Sequence, residues 1–445
     1  MPRSIDESVA RRWGARLAAA GALFIGLLTL WPVRGAVEQV GATPPWCLVC
    51  GDTGTVDALL NLALFVPLGF GLRLAGWPLR RAVLLAASAT LLVEILQMKV
   101  VPGRDASLGD LVTNTLGGWL GWSLQSVWRR LAHPGPREAR RLALGGLAAW
   151  LALGTLTGWA LERSFPGVVY RTEYAPPAGE TRFSGRVLAA AVDTLPLPRG
   201  VVGPSRELVA HLVADSVRFG VTLVSGRPTT ADAPIVGVYN RDGRIWSNDI
   251  LVLAQDGRDL VFRMRLRTRD LRLRTPTLRL ADALPGRAGD TLRIAGGFWG
   301  DRLHAATTHG AGAGEVRELV VALSPNWTWA LLLPFERPLD ESAPWLTAAW
   351  LVGVLLPLGF WAGRAARIAA LPAPAVVAAG VAAGLVGIPP LLRLPAVAWQ
   401  EWAGAAAGLA AGGALAWARA RRARRGSTPP GPAQSIGAGR PKIPA

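Results

Sequence analysis

The sequence predicts a multi-pass α-helical membrane protein of about eight spans, with an all-β sandwich domain inserted before the last three. Three observations predict it. The chain is 51% hydrophobic with a mean hydropathy of +0.31, too apolar for an ordinary soluble protein. Apolar runs of about 20 residues, the length that crosses a hydrocarbon core, recur along it. Between residues 162 and 343 those runs give way to short alternating segments with turn residues, the pattern of strands.

The spans are expected near residues 17–33, 57–76, 81–98, 108–127, 142–161, 344–362, 374–392 and 396–417. The first follows Arg11, Arg12 and Arg16 as a signal peptide would, but no small-x-small cleavage site follows it, so it reads as a retained helix. The organisation is then a cytoplasmic N-terminus (1–16), a five-helix membrane block (17–161), an outer β domain (162–343), a three-helix membrane segment (344–417) and a basic tail (418–445). The tail is rich in Gly, Pro and Ser, a disordered composition. No tandem repeat is evident.

The net charge of +18 suggests nucleic acid at first sight. Orientation accounts for it instead. With both termini in the cytoplasm, the inner segments collect Arg11, Arg12, Arg80, Arg81, Arg129, Arg130, Arg140, Arg141 and the arginines of the tail, opposed only by Asp6, Glu7 and Glu138. The rest of the chain is balanced, so the whole excess falls on one side of one topology, as membrane insertion requires. Nucleic acid is therefore not an expected partner; the lipid bilayer is.

That topology gathers polar residues at one depth, just below the outer surface. Asp57 and Asn61 lie at the outer end of the second span, Glu94 and Gln97 of the third, and Asp110 and Asn114 of the fourth. The spacings, i,i+4 or i,i+3, put each pair on one helix face. Gly117, Gly118 and Gly121 continue the face of Asp110 and let a neighbouring helix approach. Arg104, in the loop between the third and fourth spans, is placed to pair with these carboxylates or with a phosphate. Ionisable groups in a bilayer are costly and mark a task or a partner. The plainer reading is interhelical hydrogen bonding, with Asp57 and Asp110 as helix N-caps. Cys47 and Cys50, in the first outer loop, suit a disulfide or idle thiols; a redox or metal role is the alternative, but no His shares the loop.

The run DALLNLALFVPLGFGLRL, then VEILQ, then PGRDASLGDLVTNTLGGWLG, resembles the VanZ-like membrane family over about residues 20–127. The family's Asp-x-x-x-Asn before Phe-x-Pro-x-Gly is matched by Asp57, Asn61, Pro67 and Gly69, its Glu-x-x-Gln by Glu94 and Gln97, and its Arg before a second Asp-x-x-x-Asn by Arg104, Asp110 and Asn114. The resemblance implies a cell-envelope protein, of a family whose namesake is associated with lowered susceptibility to a glycopeptide antibiotic. It implies no reaction.

In the β domain, Asp256-Gly257 between two alternating runs signals a hairpin, and Gly300-Asp301 stands in a similar place. Arg263, Arg265, Arg267 and Arg269 alternate with Met264, Leu266 and Thr268, so a strand would put all four on one face, a surface for acidic glycan or another anion. The alternative is a solvated face paired with Asp249, Asp256, Asp259 and Asp270. Trp246, Trp299 and Trp327 suit sugar stacking or the core. Residues 180–335 resemble the laminin-G or concanavalin A-like lectin jelly roll, which implies glycan or protein binding. Calcium in the β domain is the one cofactor expectation, with Asn240, Asp242 and Asp301 as candidates; no other cofactor and no other metal is indicated, His304 and His309 lacking an acidic companion between them.

Two functions of different class follow. The first is a binding protein that holds a lipid-linked cell-wall component, or glycan, at the outer face. The second is a membrane enzyme on a polyprenyl-phosphate-linked substrate, with Glu94 or Asp110 as acid or base and Arg104 on the phosphate. A transporter with Glu94 as a proton-coupled site is disfavoured, because the other spans lack charged midpoints and the halves do not read as repeats. No nucleotide loop, nucleophile elbow or zinc motif is present.

Overall fold

The computed structural model describes residues 7–31, 46–100, 107–167, 169–178, 181–203, 205–240, 249–299, 302–309, 316–366 and 372–425. Arg104, Asp242, Trp246, Asp301 and the tail beyond residue 425 therefore lie outside the described residues.

Five long helices come first: α1 (Glu7–Thr29), α2 (Gly54–Leu74), α3 (Leu79–Lys99), α4 (Leu108–Ala132) and α5 (Pro136–Ala160). Their bounds follow local chemistry. Ser107 caps α4, its Oγ accepting from Asp110 N at 3.0 Å. Pro136 sits in the first turn of α5, where its missing N–H leaves no helix bond unmade. The helices α2, α3 and α4 bundle around Phe65, Leu68, Ala86 and Val93, with α1 laid against α2.

The middle of the chain forms two antiparallel six-stranded sheets. One runs β4-β1-β6-β7-β8-β9 (Gly200–Val201, Tyr170–Tyr174, Ala233–Asn240, Asp249–Asp256, Asp259–Met264, Thr277–Leu280). The other runs β12-β11-β10-β5-β2-β3 (Val316–Ala322, Arg302–His309, Thr291–Trp299, Val217–Val224, Arg186–Val192, Leu195–Pro196). Their inner faces enclose Phe219, Leu223, Ile235, Leu253, Phe262 and Ile294, a jelly-roll-like sandwich. The Asp256-Gly257 hairpin is there, joining β7 to β8 with Gly257 at φ +61°. Three short helices decorate the domain: α6 (Ser205–Val213), α7 (Arg267–Asp270) and α8 (Thr328–Leu331).

Three long helices close the described chain: α9 (Ala343–Ala365), α10 (Ala373–Leu391) and α11 (Trp399–Arg425). The helix α9 packs between α5 and α11. Four of the long helices, α2, α5, α9 and α10, are apolar and long enough to cross a membrane. The helical surface exposes Leu23, Phe24, Leu27, Leu84, Leu92 and Leu156, each more than half accessible, a band that suits lipid and not water.

Candidate functional site

The polar residues of α2, α3 and α4 meet at one end of the bundle. Asn61 Nδ2 donates to Asp110 Oδ1 at 2.6 Å, joining α2 to α4. Glu94 Oε2 accepts from Ser107 N at 2.8 Å, joining α3 to the α4 N-terminus. Asn114 Nδ2 donates to Thr90 Oγ1 at 2.7 Å. Glu94 is 7% exposed and Asn114 2%. Ser107 links both acids, accepting from the backbone of Asp110 while its own N–H serves Glu94. Glycine makes this meeting possible: a Cβ on Gly117 would lie 2.2 Å from Leu62 O, and one on Gly69 1.9 Å from Gly118 O.

Each anticipated residue of the cluster except Arg104, which lies outside the described residues, has its place. Asp110 is not the cap of α4; Ser107 is, and Asp110 holds the third helical position, where a carboxylate suits the positive helix end. Asp57 is not a cap either: it lies inside the first turn of α2, exposed, and accepts from Thr53 Oγ1 at 3.1 Å. Gln97 turns to α1, its Nε2 donating to Thr29 O at 2.9 Å. Thr90 and Ser107 were missed by sequence reasoning. Thr90 is four residues before Glu94, on its face, and Ser107 with Asp110 forms a Ser-x-x-Asp capping signature, so both had a signal. Of the eight buried side-chain polar atoms without a hydrogen-bond partner among the described residues, one lies in this cluster: Asn114 Oδ1. A buried acceptor without a donor costs roughly 1–3 kcal/mol, a cost that a water or a ligand group relieves.

The loop before α2 covers this end. Cys47 and Cys50 are joined as a disulfide. Gly109 N, in the first turn of α4, donates to Cys47 O at 3.1 Å. The β domain reaches the same loop from the other side, with Arg272 donating to Val49 O and Arg269 3.8 Å from Asp52.

Those contacts correct the expected arginine face. The strand β8 ends at Met264, and residues 267–270 turn into α7, so the four arginines do not share a strand face. Arg265 is only 2% exposed and pairs with Asp270 at 2.7 Å. Arg267 pairs with Glu162 at 2.5 Å and covers the Trp159 ring, and Arg263 pairs with Asp232. Each guanidinium has a carboxylate partner, and buried charges require one. Nearby, burial pushes the Asp249 carboxyl above its ordinary range, although Arg269 and Arg265 pull it down.

Trp327 is core, at 2% exposure, and Trp299 stacks on His304 with ring centres 3.9 Å apart. His304 bonds Glu318 at 2.7 Å and His211 bonds Asp193 at 3.0 Å. Asn240 is buried at the end of β6. Among the described residues no three His, Cys, Asp or Glu are grouped to hold a metal ion.

No curated protein and no solved structure matches the chain. A family model does: residues 18–129, a segment that contains Asp57, Asn61, Glu94, Gln97, Asp110 and Asn114, match the family described as VanZ/LLP1, which makes the α1–α4 unit of this membrane protein VanZ-like.

Proposed function

We propose that the protein is a VanZ-like cell-envelope membrane protein that binds a lipid-linked cell-wall component through the α2–α4 polar cluster at the outer face. The observation that supports this reading is the set of polar contacts that joins α2, α3 and α4, Asn61 to Asp110, Glu94 to Ser107 and Asn114 to Thr90, with Asn114 Oδ1 buried and unpartnered among the described residues. Eight spans, with both termini cytoplasmic and residues 162–343 outside, are part of the proposal. The basic excess supports it, as does the contact of the β domain with the disulfide loop, since disulfides persist outside the cytoplasm. Asp57 and Gln97 border the cluster; Arg104 adds a cation for a phosphate. The β domain binds wall glycan and takes calcium at Asn240, Asp242 and Asp301, and altered glycopeptide susceptibility is the phenotype that follows.

A second reading is favoured by one contact set. Ser107 ties Glu94 to Asp110, an arrangement that brings two carboxylates to one helix end. In a membrane enzyme one would serve as acid and the other as base.

The test is thermal stability of the purified protein and Glu94→Gln against lipid II, undecaprenyl phosphate and isolated wall glycan. A shift with a lipid, lost in the variant, is the expected result. A shift with glycan alone, equal in both proteins, would move the function to the β domain.

A further inference from the structure

The sequence reads as free of repeats, yet the close contacts between helices repeat at a fixed offset. In α2 and α4, Gly117 faces Leu62 O, Gly121 faces Val66 O and Phe70 N, and Gly69 faces Gly118 O. In α9 and α11, Gly408 faces Val352 O, Gly412 faces Leu356 O and Phe360 N, and Gly359 faces Leu409 O. Phe70 meets Trp128 edge-on at 6.0 Å, and Phe360 is covered by Arg419 at 5.1 Å. One shift relates every α2 residue to its α9 counterpart, and one shift relates every α4 residue to its α11 counterpart. The shared Pro-Leu-Gly-Phe, at Pro67–Phe70 and Pro357–Phe360, falls in the same register. The preceding helices agree: α1 packs on α2 as α5 packs on α9.

The register states what became of the polar cluster. Asp110 corresponds to Glu401 and Asp57 to Thr347. Asn61 and Asn114 correspond to Leu351 and Ala405. Two polar positions of the first unit thus stay polar in the second, and both are taken by one segment of the β domain. Glu401 Oε2 accepts from Ser324 Oγ and Asn326 Nδ2, each at 2.7 Å. Thr347 Oγ1 accepts from Trp329 Nε1 at 3.2 Å. Glu401 is 2% exposed and Thr347 fully buried. The carboxamide that Asn61 supplies to Asp110 from within the first unit comes, in the second, from Asn326 of the β domain.

We propose that α5, α9 and α11 are a diverged second copy of α1, α2 and α4, whose site has become a seat for the segment Ser324–Trp329 of the β domain. The seat fixes the sandwich so that Arg269 and Arg272 rest on the disulfide loop above the first site. The proposal does not depend on the ligand of the first site.

Hydrogen exchange of the full-length protein in nanodiscs tests it, comparing wild type with Glu401→Gln and Asn326→Ala. Asn326→Ala removes only the donor on the β domain and serves if Glu401→Gln does not fold. Loss of a hydrogen bond to a buried carboxyl group predicts exchange about tenfold faster over residues 323–331, with β5, β10 and α2–α4 unchanged. The lipid-dependent thermal shift stays, whereas Asp110→Asn abolishes it without changing exchange at 323–331. Unchanged exchange in both seat variants would overturn the proposal. If wild type shows no lipid shift, the binding reading fails, while the exchange result still decides the seat.

Discussion

At the scale of single residues, the site is an economy of donors and acceptors. Asn114 spends its amide on Thr90 and leaves its carbonyl oxygen without a donor. Thr90→Val removes the acceptor of that amide and keeps the shape, so the variant should lose about 1–3 kcal/mol, read as a lower melting temperature. Asp249 allows a prediction in pH. Its carboxyl is pushed up on folding, so the folded state holds the proton more tightly than the unfolded chain. Its contribution to stability is fully present below the unfolded value, about 3.9, and is lost as pH rises through the raised folded value. Asp249→Asn should therefore raise β-domain stability at neutral pH and flatten its fall between acid and neutral pH, as denaturation scans across that range would record. An unchanged slope would mean that the Arg269 and Arg265 guanidiniums fully offset the burial.

At the scale of elements, the helices are legible in the sequence because a span needs a long apolar window, and windows survive any detail of packing. The cluster of Asp110, Asn61, Glu94 and Asn114 is legible for a second reason: i,i+4 spacing fixes a face before the partner helix is known. The arginine run was not legible. Alternation between Arg263 and Arg269 satisfies a strand, but Arg265 finds Asp270 only when the chain turns into α7, a choice made by the partner. The second helical unit was hidden because its polar residues had changed and only glycine spacing and Pro-Leu-Gly-Phe remained. Glycine substitution separates contact from propensity. Gly69→Ala and Gly359→Ala put a Cβ about 2 Å from a facing carbonyl, 1.9 and 2.2 Å respectively, and should each cost 1–3 kcal/mol or more, roughly the overpacking range. Gly26→Ala meets nothing within 4 Å and should gain a few tenths to about 1 kcal/mol from helix propensity. Equal losses at Gly69 and Gly359 are what two copies of one helix pair require.

At the scale of the whole molecule, one face of the helices holds the β domain and the other holds arginines. The β domain touches the disulfide loop through Arg269 and Arg272, meets the start of α11 through Ser324 and Asn326, and bonds α5 through Thr157 and Thr328 at 2.7 Å. It therefore sits at the helix ends that carry Asp110 and Glu401, opposite the ends that carry Arg129, Arg130, Arg419 and Arg421. With a bilayer between those two faces, the proposed topology puts the basic ends inside and the sandwich outside. The repeat also removes one of the two grounds set against transport; the other stands, since α10 is without charge. The orientation has a direct measurement. Protease added to intact spheroplasts should cleave within residues 162–343 and leave a C-terminal tag protected until the membrane is permeabilised. Maleimide of a membrane-impermeant kind should label Cys47 and Cys50 only after an impermeant reductant opens their bond, since the bonded pair holds no free thiol. A protected β domain with an accessible tag would reverse the topology. It would place the Asp110 cluster at the cytoplasmic face, and with it any ligand would have to be sought there.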